Sequence, residues 1–142
     1  MTARADFYLV DKPRFRDQPL LLVCELAKRF RAQDSPTLVL CASLQQAEEL
    51  DDLLWSFDED SFIEHQIAGQ DENEDDVPVL LAPPGVDVAL RPYVINLRAE
   101  PVDAGFVRVL EVVPADPEAR APLRERWAQY KARGLELHKH DM

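Results

Sequence analysis

The chain has 142 residues, 46% of them hydrophobic and 30% charged, which is the composition of an ordinary globular domain rather than of a disordered chain. Its 27 acidic and 16 basic residues give a formal net charge of −11, which argues against a general nucleic-acid binder because phosphate contacts need a cationic surface. No stretch approaches the roughly 18 apolar residues of a membrane span, and the N-terminus is no signal peptide. We therefore expect a cytoplasmic protein that does not enter a membrane.

The first half of the chain reads as strand, helix, strand, helix. A short apolar run at 6–10 predicts a strand, and the spacing of apolar residues at i, i+3, i+4 and i+7 predicts a helix over 19–33. The almost continuously apolar run at 37–42 is typical of a strand buried on both faces of a parallel sheet. Ser43 and Gln46 then form a capping box, which predicts a helix ending near Trp55.

The second half contains four more candidate strands and one helix. They are, in order, 62–67, 77–82, 93–97, 107–113 and the helix 117–133. An acidic loop at 70–76 interrupts the series, Gly134 closes the helix, and about 135–142 read as a flexible tail. This alternation predicts a single α/β domain over residues 1–142, with three layers and a mostly parallel sheet flanked by helices.

Sequence signatures of the common catalytic sites are missing. The four glycines are isolated from one another, so neither a dinucleotide-binding turn nor a phosphate loop can be drawn, and no serine lies in a nucleophile elbow. Cys24 and Cys41 lie in apolar runs and read as reduced core thiols. His138, His140 and Asp141 form no convincing metal set, because all three lie in the predicted tail. We expect no catalysis, no cofactor and no metal.

Charge is unevenly distributed along the chain. Residues 44–76 contain 13 acidic residues and no Lys or Arg, whereas residues 120–140 contain six basic and two acidic residues. On a helical wheel at 100° per residue, Arg120, Arg124 and Lys131 share one narrow stripe beside Trp127. Such a stripe suits an acidic peptide with a free carboxylate, although composition alone favours a solvated helix face that pairs with the acidic body, with Trp127 in the core.

Trp55 is the second unusual feature. The wheel places it about 140° from Leu50, on the acidic side of its helix and away from the apolar stripe. A tryptophan in this position either packs under the following loop or anchors an interface, with Phe62 as a possible neighbour.

Several segments of the chain together resemble the chi subunit of bacterial DNA polymerase III. They are, in order, ADFYLVDKP, VCELAKRF, LDDLLWSFDEDSFIEHQIAG, YVINLR and LRERWAQYKARG. The similarity extends over nearly the whole chain, with the acidic loop and the extreme C-terminus as the parts that differ. The resemblance implies a fold like that of nucleotide-binding domains but without a phosphate loop.

The resemblance also implies a function, that of a non-catalytic adaptor in the clamp-loader assembly of the replicative polymerase. Its implied partners are the psi subunit, through which it is linked indirectly to the clamp loader, and the acidic C-terminal tail of single-stranded DNA-binding protein, which ends in phenylalanine with a free carboxylate. The implied tail-binding positions are Val113, Arg120, Arg124, Trp127, Ala128 and Lys131, and the implied psi-contacting positions are Trp55 and Phe62. Relatives carry tyrosine at position 127 and lysine at position 128, so Ala128 leaves this chain with one cation fewer.

The residues also allow two alternatives to the adaptor. One is a degenerate nucleotide-binding α/β enzyme, for which a glycine-rich turn after the first strand would be the discriminating feature. The other is direct binding of single-stranded DNA, which we expect to be weak or absent because the cationic stripe is short and the body is acidic. The resemblance leaves open whether a DNA-repair helicase shares the psi-facing surface.

Overall fold

The computed structural model describes residues 3–56, 63–69, 77–102 and 105–142. Within these ranges the strands are β1 (Arg4–Leu9), β2 (Thr37–Leu40), β3 (His65–Ile67), β4 (Val79–Ala82), β5 (Tyr93–Asn96), β6 (Arg108–Val113) and β7 (Glu136–Asp141). The helices of the same ranges are α1 (Pro13–Asp17), α2 (Pro19–Ala32), α3 (Leu44–Ser56) and α4 (Pro117–Ala132). None of these helices is both long and apolar enough to cross a membrane.

The seven strands form one sheet in the order β3-β4-β2-β5-β6-β1-β7, and each described pair is parallel. Strands β2 and β4 are buried at all four positions, as expected for central strands covered on both faces. Helices α2 and α3 pack on one face of the sheet and α4 packs on the other. The predicted three-layer α/β fold with a parallel sheet is therefore confirmed.

Local sequence signals account for the ends of the helices. The backbone N–H of Gln46 donates to Ser43 Oγ (3.1 Å), and the Gln46 side-chain oxygen accepts from the N–H of Ala42 (2.7 Å), so the predicted cap forms with its return bond shifted by one residue. Gly134 follows α4 with a φ of +85°, a conformation that glycine adopts without a steric penalty.

The two cysteines lie in the core, as predicted. Cys24 and Cys41 are free thiols with no exposed surface, and both pack on the α2/α3 side of the sheet. Burial raises the pKa of each thiol to about 12, so neither carries the thiolate that redox or nucleophilic chemistry requires.

The prediction of a flexible tail at 135–142 is wrong. Residues Glu136–Asp141 form β7, which pairs in parallel with β1 along its whole length. On one face of this strand His140 stacks on Tyr8, with ring centroids 4.6 Å apart, and its Nε2 lies 2.7 Å from Asp6 Oδ1. The sequence ELHKHD has no apolar run, and the backbone pairing that stabilises it leaves no signature in the side chains.

Candidate functional site

The inner side of α4 is attached to the sheet by a buried polar cluster. Arg126 of α4 pairs with Glu111 of β6, and the guanidinium also donates to the carbonyl of Ala99. Tyr130 Oη donates to Glu111 Oε2 (2.8 Å) and accepts from the N–H of Val102 (2.9 Å). Burial raises the pKa of the Glu111 carboxyl, and the charge of Arg126 opposes that shift. These contacts fix the position of α4 over β6.

A cleft of about 310 Å³ opens beside this cluster, between α4 and the strands β1, β6 and β7. Its lining residues are Phe7, Leu9, Val113, Arg120, Leu123, Arg124, Trp127 and Lys139. We call this the α4 cleft.

The floor of the α4 cleft is apolar because of the strand register. Leu9 lies beside Val113 in the β1–β6 pair, and alternate residues of a strand share a face, so Phe7 and Leu9 point to the same side. The Trp127 ring packs edge-on against Phe7 with centroids 5.0 Å apart, so Trp127 is both part of the core and a wall of the cleft.

Three cations line the α4 cleft. Arg120 donates from Nε to the carbonyl of Pro114 (2.9 Å), which holds its guanidinium in place. The Arg124 side chain is exposed and forms no ion pair or hydrogen bond with any other residue that the structure describes. Lys139 lies beside Phe7 in the β1–β7 register and therefore approaches from the strand side. An apolar floor bordered by two arginines and a lysine can hold a carboxylate that is attached to a hydrophobic group.

The structure brings four of the six predicted tail-binding residues together. Val113, Arg120, Arg124 and Trp127 line the α4 cleft, whereas Ala128 and Lys131 are exposed on α4 and are not among its lining residues.

Sequence reasoning did not assign Phe7, Leu9 or Lys139 to this site. Only the apolar run of the first strand could have indicated Phe7 and Leu9. Lys139 carried no such signal, because its strand was not predicted.

The second predicted surface lies on α3. Trp55 is 64% exposed, and its ring packs edge-on against that of His65 with centroids 5.9 Å apart. His65 Nε2 lies 2.8 Å from Asp51 Oδ1, so the helix and β3 are connected at this point. Trp55 is thus presented to solvent on a supported part of the fold, while Phe62 lies outside the described residues.

The carboxyl end of the sheet, where nucleotides bind in doubly wound folds, is occupied by a side chain of the chain itself. Arg98 donates from Nε to the carbonyl of Cys41 (3.0 Å) and from Nη2 to the carbonyl of Ala82 (2.9 Å), which follow or end β2 and β4. The segment after β1 reads Val10–Asp11–Lys12–Pro13, with no glycine to admit a phosphate. These observations disfavour the nucleotide-binding alternative.

Comparisons with known proteins identify relatives over nearly the whole chain. The family model of the DNA polymerase III chi subunit (HolC) matches residues 1–138. DNA polymerase III subunit chi of Pseudomonas aeruginosa is 35% identical over 146 residues, covering 96% of this chain and 95% of the relative. The subunit chi of Escherichia coli K12 is 31% identical over 140 residues, covering 94% and 95%.

Two solved structures share the architecture of this chain at low sequence identity. The C-terminal domain of the DEAD-box protein Dbp5 superposes with a TM-score of 0.66 at 12% identity, covering 99% of this chain and 91% of that domain. T4 UvsW gives the same TM-score at 10% identity, covering 99% of this chain and 41% of its own. At this identity the likeness shows a shared α/β architecture alone.

Proposed function

Because the chain belongs to the DNA polymerase III chi-subunit family, an accessory and non-catalytic part of the polymerase, we propose that it is an adaptor with two protein-binding surfaces. The α4 cleft binds the acidic C-terminal tail of single-stranded DNA-binding protein. The surface around Trp55 binds the psi subunit, which links the chain to the clamp loader. We place this adaptor in the cytoplasm, where a bacterial chromosome is replicated.

The observation that carries this proposal is the chemistry of the α4 cleft. The tail offers a terminal carboxylate on a phenylalanine, preceded by acidic residues, and the cleft offers an apolar floor with three cations along its edge. Trp127 and Val113 form the wall for the phenylalanine ring, since aromatic rings pack favourably edge-to-face. Arg124 receives the carboxylate, because a guanidinium can hold both oxygens at once.

The attraction is local rather than a property of the whole molecule. With a formal net charge of −11 the body repels an acidic peptide at long range, so the cations of the cleft must act over short distances. The Debye length is about 8 Å at physiological ionic strength, and added salt should weaken binding at this exposed edge. Lys131 lies on α4 beyond Trp127 and outside the cleft lining, so we assign it a smaller, longer-range contribution.

The test is titration calorimetry with a synthetic tail peptide. We expect Arg124→Ala to weaken binding at least about tenfold, equivalent to about 1.4 kcal/mol, and amidation of the peptide's terminal carboxylate to do the same. The two changes together should cost less than the sum of both, because they remove the same contact. Arg29→Ala is the matched control, since Arg29 is an exposed arginine on α2 at the opposite face of the sheet.

If Arg124→Ala binds the tail peptide as tightly as wild type, or if amidation leaves the affinity unchanged, then Arg124 does not bind the terminal carboxylate. An equally large loss of peptide affinity for Arg29→Ala would show that binding depends only on the overall charge of the protein.

The psi surface has a separate test. Truncation of an exposed aromatic anchor at the centre of an interface commonly costs ~2 kcal/mol or more, so Trp55→Ala should weaken the complex with psi by at least about tenfold. The affinity of the same variant for the tail peptide should be unchanged, because the α4 cleft lies on the other face of the sheet. If Trp55→Ala binds psi as tightly as wild type, then psi binds at another surface of the chain.

A further inference from the structure

A second cleft, of about 350 Å³, lies at the carboxyl ends of β5 and β6. Pro19 and Leu20, in the first turn of α2, border it on one side. Ala119 and Pro122, in the first half of α4, border it on the other side, and the segment 97–99 that follows β5 also lines it. We call this cleft the α2–α4 groove.

The α2–α4 groove adjoins the α4 cleft, because Leu123 lines both. At 100° per residue, Ala119 and Arg126 lie about 40–60° to one side of Leu123 on α4, and both line the groove. Trp127 and Arg120 lie at the same angles to the other side, and both line the cleft. A peptide that leaves the α4 cleft over Leu123 therefore enters the α2–α4 groove.

The α2–α4 groove carries positive charge on a chain whose formal net charge is −11. Its described lining residues include Arg98 and Arg126 and no acidic residue. Arg126 is already paired with Glu111. Arg98 donates to the carbonyls of Cys41 and Ala82, and no carboxylate in the described part of the chain pairs with it. A partly buried cation without a counter-charge favours an anionic ligand.

The walls beside Arg98 are largely apolar, with Leu20, Val112 and Pro122 among them. An anionic group carried on an extended hydrocarbon framework fits such a site better than a free inorganic anion, because the walls offer it contact area as well as charge. An acidic side chain of a peptide has this chemistry. The acidic residues that precede the terminal phenylalanine of the tail would leave the α4 cleft next to this groove.

We propose that the α2–α4 groove is a second subsite for the acidic tail, in which a carboxylate upstream of the terminal phenylalanine pairs with Arg98. This subsite rests on the proposed binding of the tail in the α4 cleft and extends it across Leu123. The phenylalanine and its terminal carboxylate stay in the α4 cleft, and the upstream segment lies against the apolar walls of the groove. Arg98 is thus a determinant of specificity for tails that are acidic several residues before their end.

The experiment is titration calorimetry of the full chain with two synthetic peptides, the last three and the last ten residues of the tail. In extended conformation they are about 10 Å and about 34 Å long, so only the longer one can extend well beyond the α4 cleft. We expect wild type to bind the ten-residue peptide more tightly than the three-residue peptide.

The first pair of variants adds a negative charge to α4. Ala119→Glu places a carboxylate in the groove, and Ala121→Glu is the matched control, because exposed Ala121 lies about 200° away around the helix. We expect Ala119→Glu to bind the ten-residue peptide about tenfold more weakly, because like charges repel, and the three-residue peptide within about twofold of wild type. Ala121→Glu should stay within about twofold for both peptides.

The second pair removes an arginine that bonds to backbone carbonyls at one edge of the sheet. Arg98→Ala does so at the carboxyl ends of β2 and β4, whereas Arg91→Ala removes bonds to the carbonyls of Thr37, Val77 and Pro78 at the opposite edge. We expect about a fivefold loss of affinity for the ten-residue peptide with Arg98→Ala only.

The outcomes separate this subsite from the binding on which it rests. If Ala119→Glu and Arg98→Ala bind the ten-residue peptide as their controls do, or if wild type binds both peptides equally, the second subsite is overturned and the α4 cleft stands. Equal losses for the two peptides would also overturn it, because they would show that the variants disturb the α4 cleft itself. If wild type binds neither peptide, both proposals are overturned.

Discussion

Arg124 and Arg126 are two residues apart on α4 and have opposite environments. The side chain of Arg126 is 6% exposed and bonded to Glu111, whereas Arg124 is exposed and lines the α4 cleft. Two residues of separation turn a side chain by about 200° around a helix, so one arginine faces the sheet and the other faces solvent. The buried arginine positions the helix, and the exposed arginine is available to a ligand.

The largest loss of stability is expected when the buried ion pair between Arg126 and Glu111 is removed. Arg126→Ala leaves the Glu111 carboxylate in the interior without its cation, and loss of one partner of a buried ion pair typically costs about 3–5 kcal/mol of unfolding free energy. Urea unfolding followed by circular dichroism measures this. Arg124→Ala is the matched control and should stay within about 0.5 kcal/mol of wild type. Similar losses of unfolding free energy for both variants would contradict the view that Arg126 positions the helix and Arg124 does not.

A second buried carboxylate makes stability depend on pH. Burial alone would raise the pKa of the Asp6 carboxyl, but hydrogen bonds from Arg4, His140 and Arg108 outweigh it and hold the pKa below its ordinary value. A lowered folded-state pKa stabilises the fold above the unfolded-state pKa of about 3.9, and this contribution is lost as the pH falls through the folded-state value.

Asp6→Asn should therefore be less stable than wild type at pH 7, and the two unfolding free energies should begin to converge as the pH falls below about 4 and meet below the folded-state pKa of Asp6. Urea titrations at several pH values measure the difference. A gap that is constant with pH would show that the loss comes from packing and not from the charge of Asp6.

The smallest expected effect is a difference in tail-peptide affinity between two lysine variants. Lys139→Ala should weaken the tail peptide about fivefold, because Lys139 lines the α4 cleft from β7, whereas Lys131→Ala should change it less than twofold. Fluorescence anisotropy of a labelled peptide resolves both values. The reverse order would place the peptide along the solvent side of α4 instead of in the cleft.

Most elements of the fold could be predicted because their signals are local. The apolar run that became β2 and the cap at Ser43 depend on neighbours within a few residues, and both formed close to where they were expected. The exposure of Trp55 also follows from helix periodicity, since its wheel position opposes the buried Leu50.

The burial of Arg126 was within reach of the same reasoning but was missed. On the wheel Arg126 lies about 40° beyond Tyr130, on the side that faces the sheet. Its charge by itself indicates the surface, because a buried arginine is rare without a partner and Glu111 is 15 residues away in sequence.

The sequence by itself determined the fold class, the absence of a phosphate loop and the stripe of cations on α4, since each depends on residue type and short-range spacing. Only the tertiary structure decided that residues 136–141 form a strand, and that Lys139 therefore joins Phe7 and Leu9 in the α4 cleft. The physical reason is that an edge strand in a parallel sheet is stabilised by backbone hydrogen bonds to a segment more than 120 residues earlier in the chain. Backbone hydrogen bonds do not depend on residue type, so nothing in ELHKHD distinguishes a strand from a tail until β1 lies beside it.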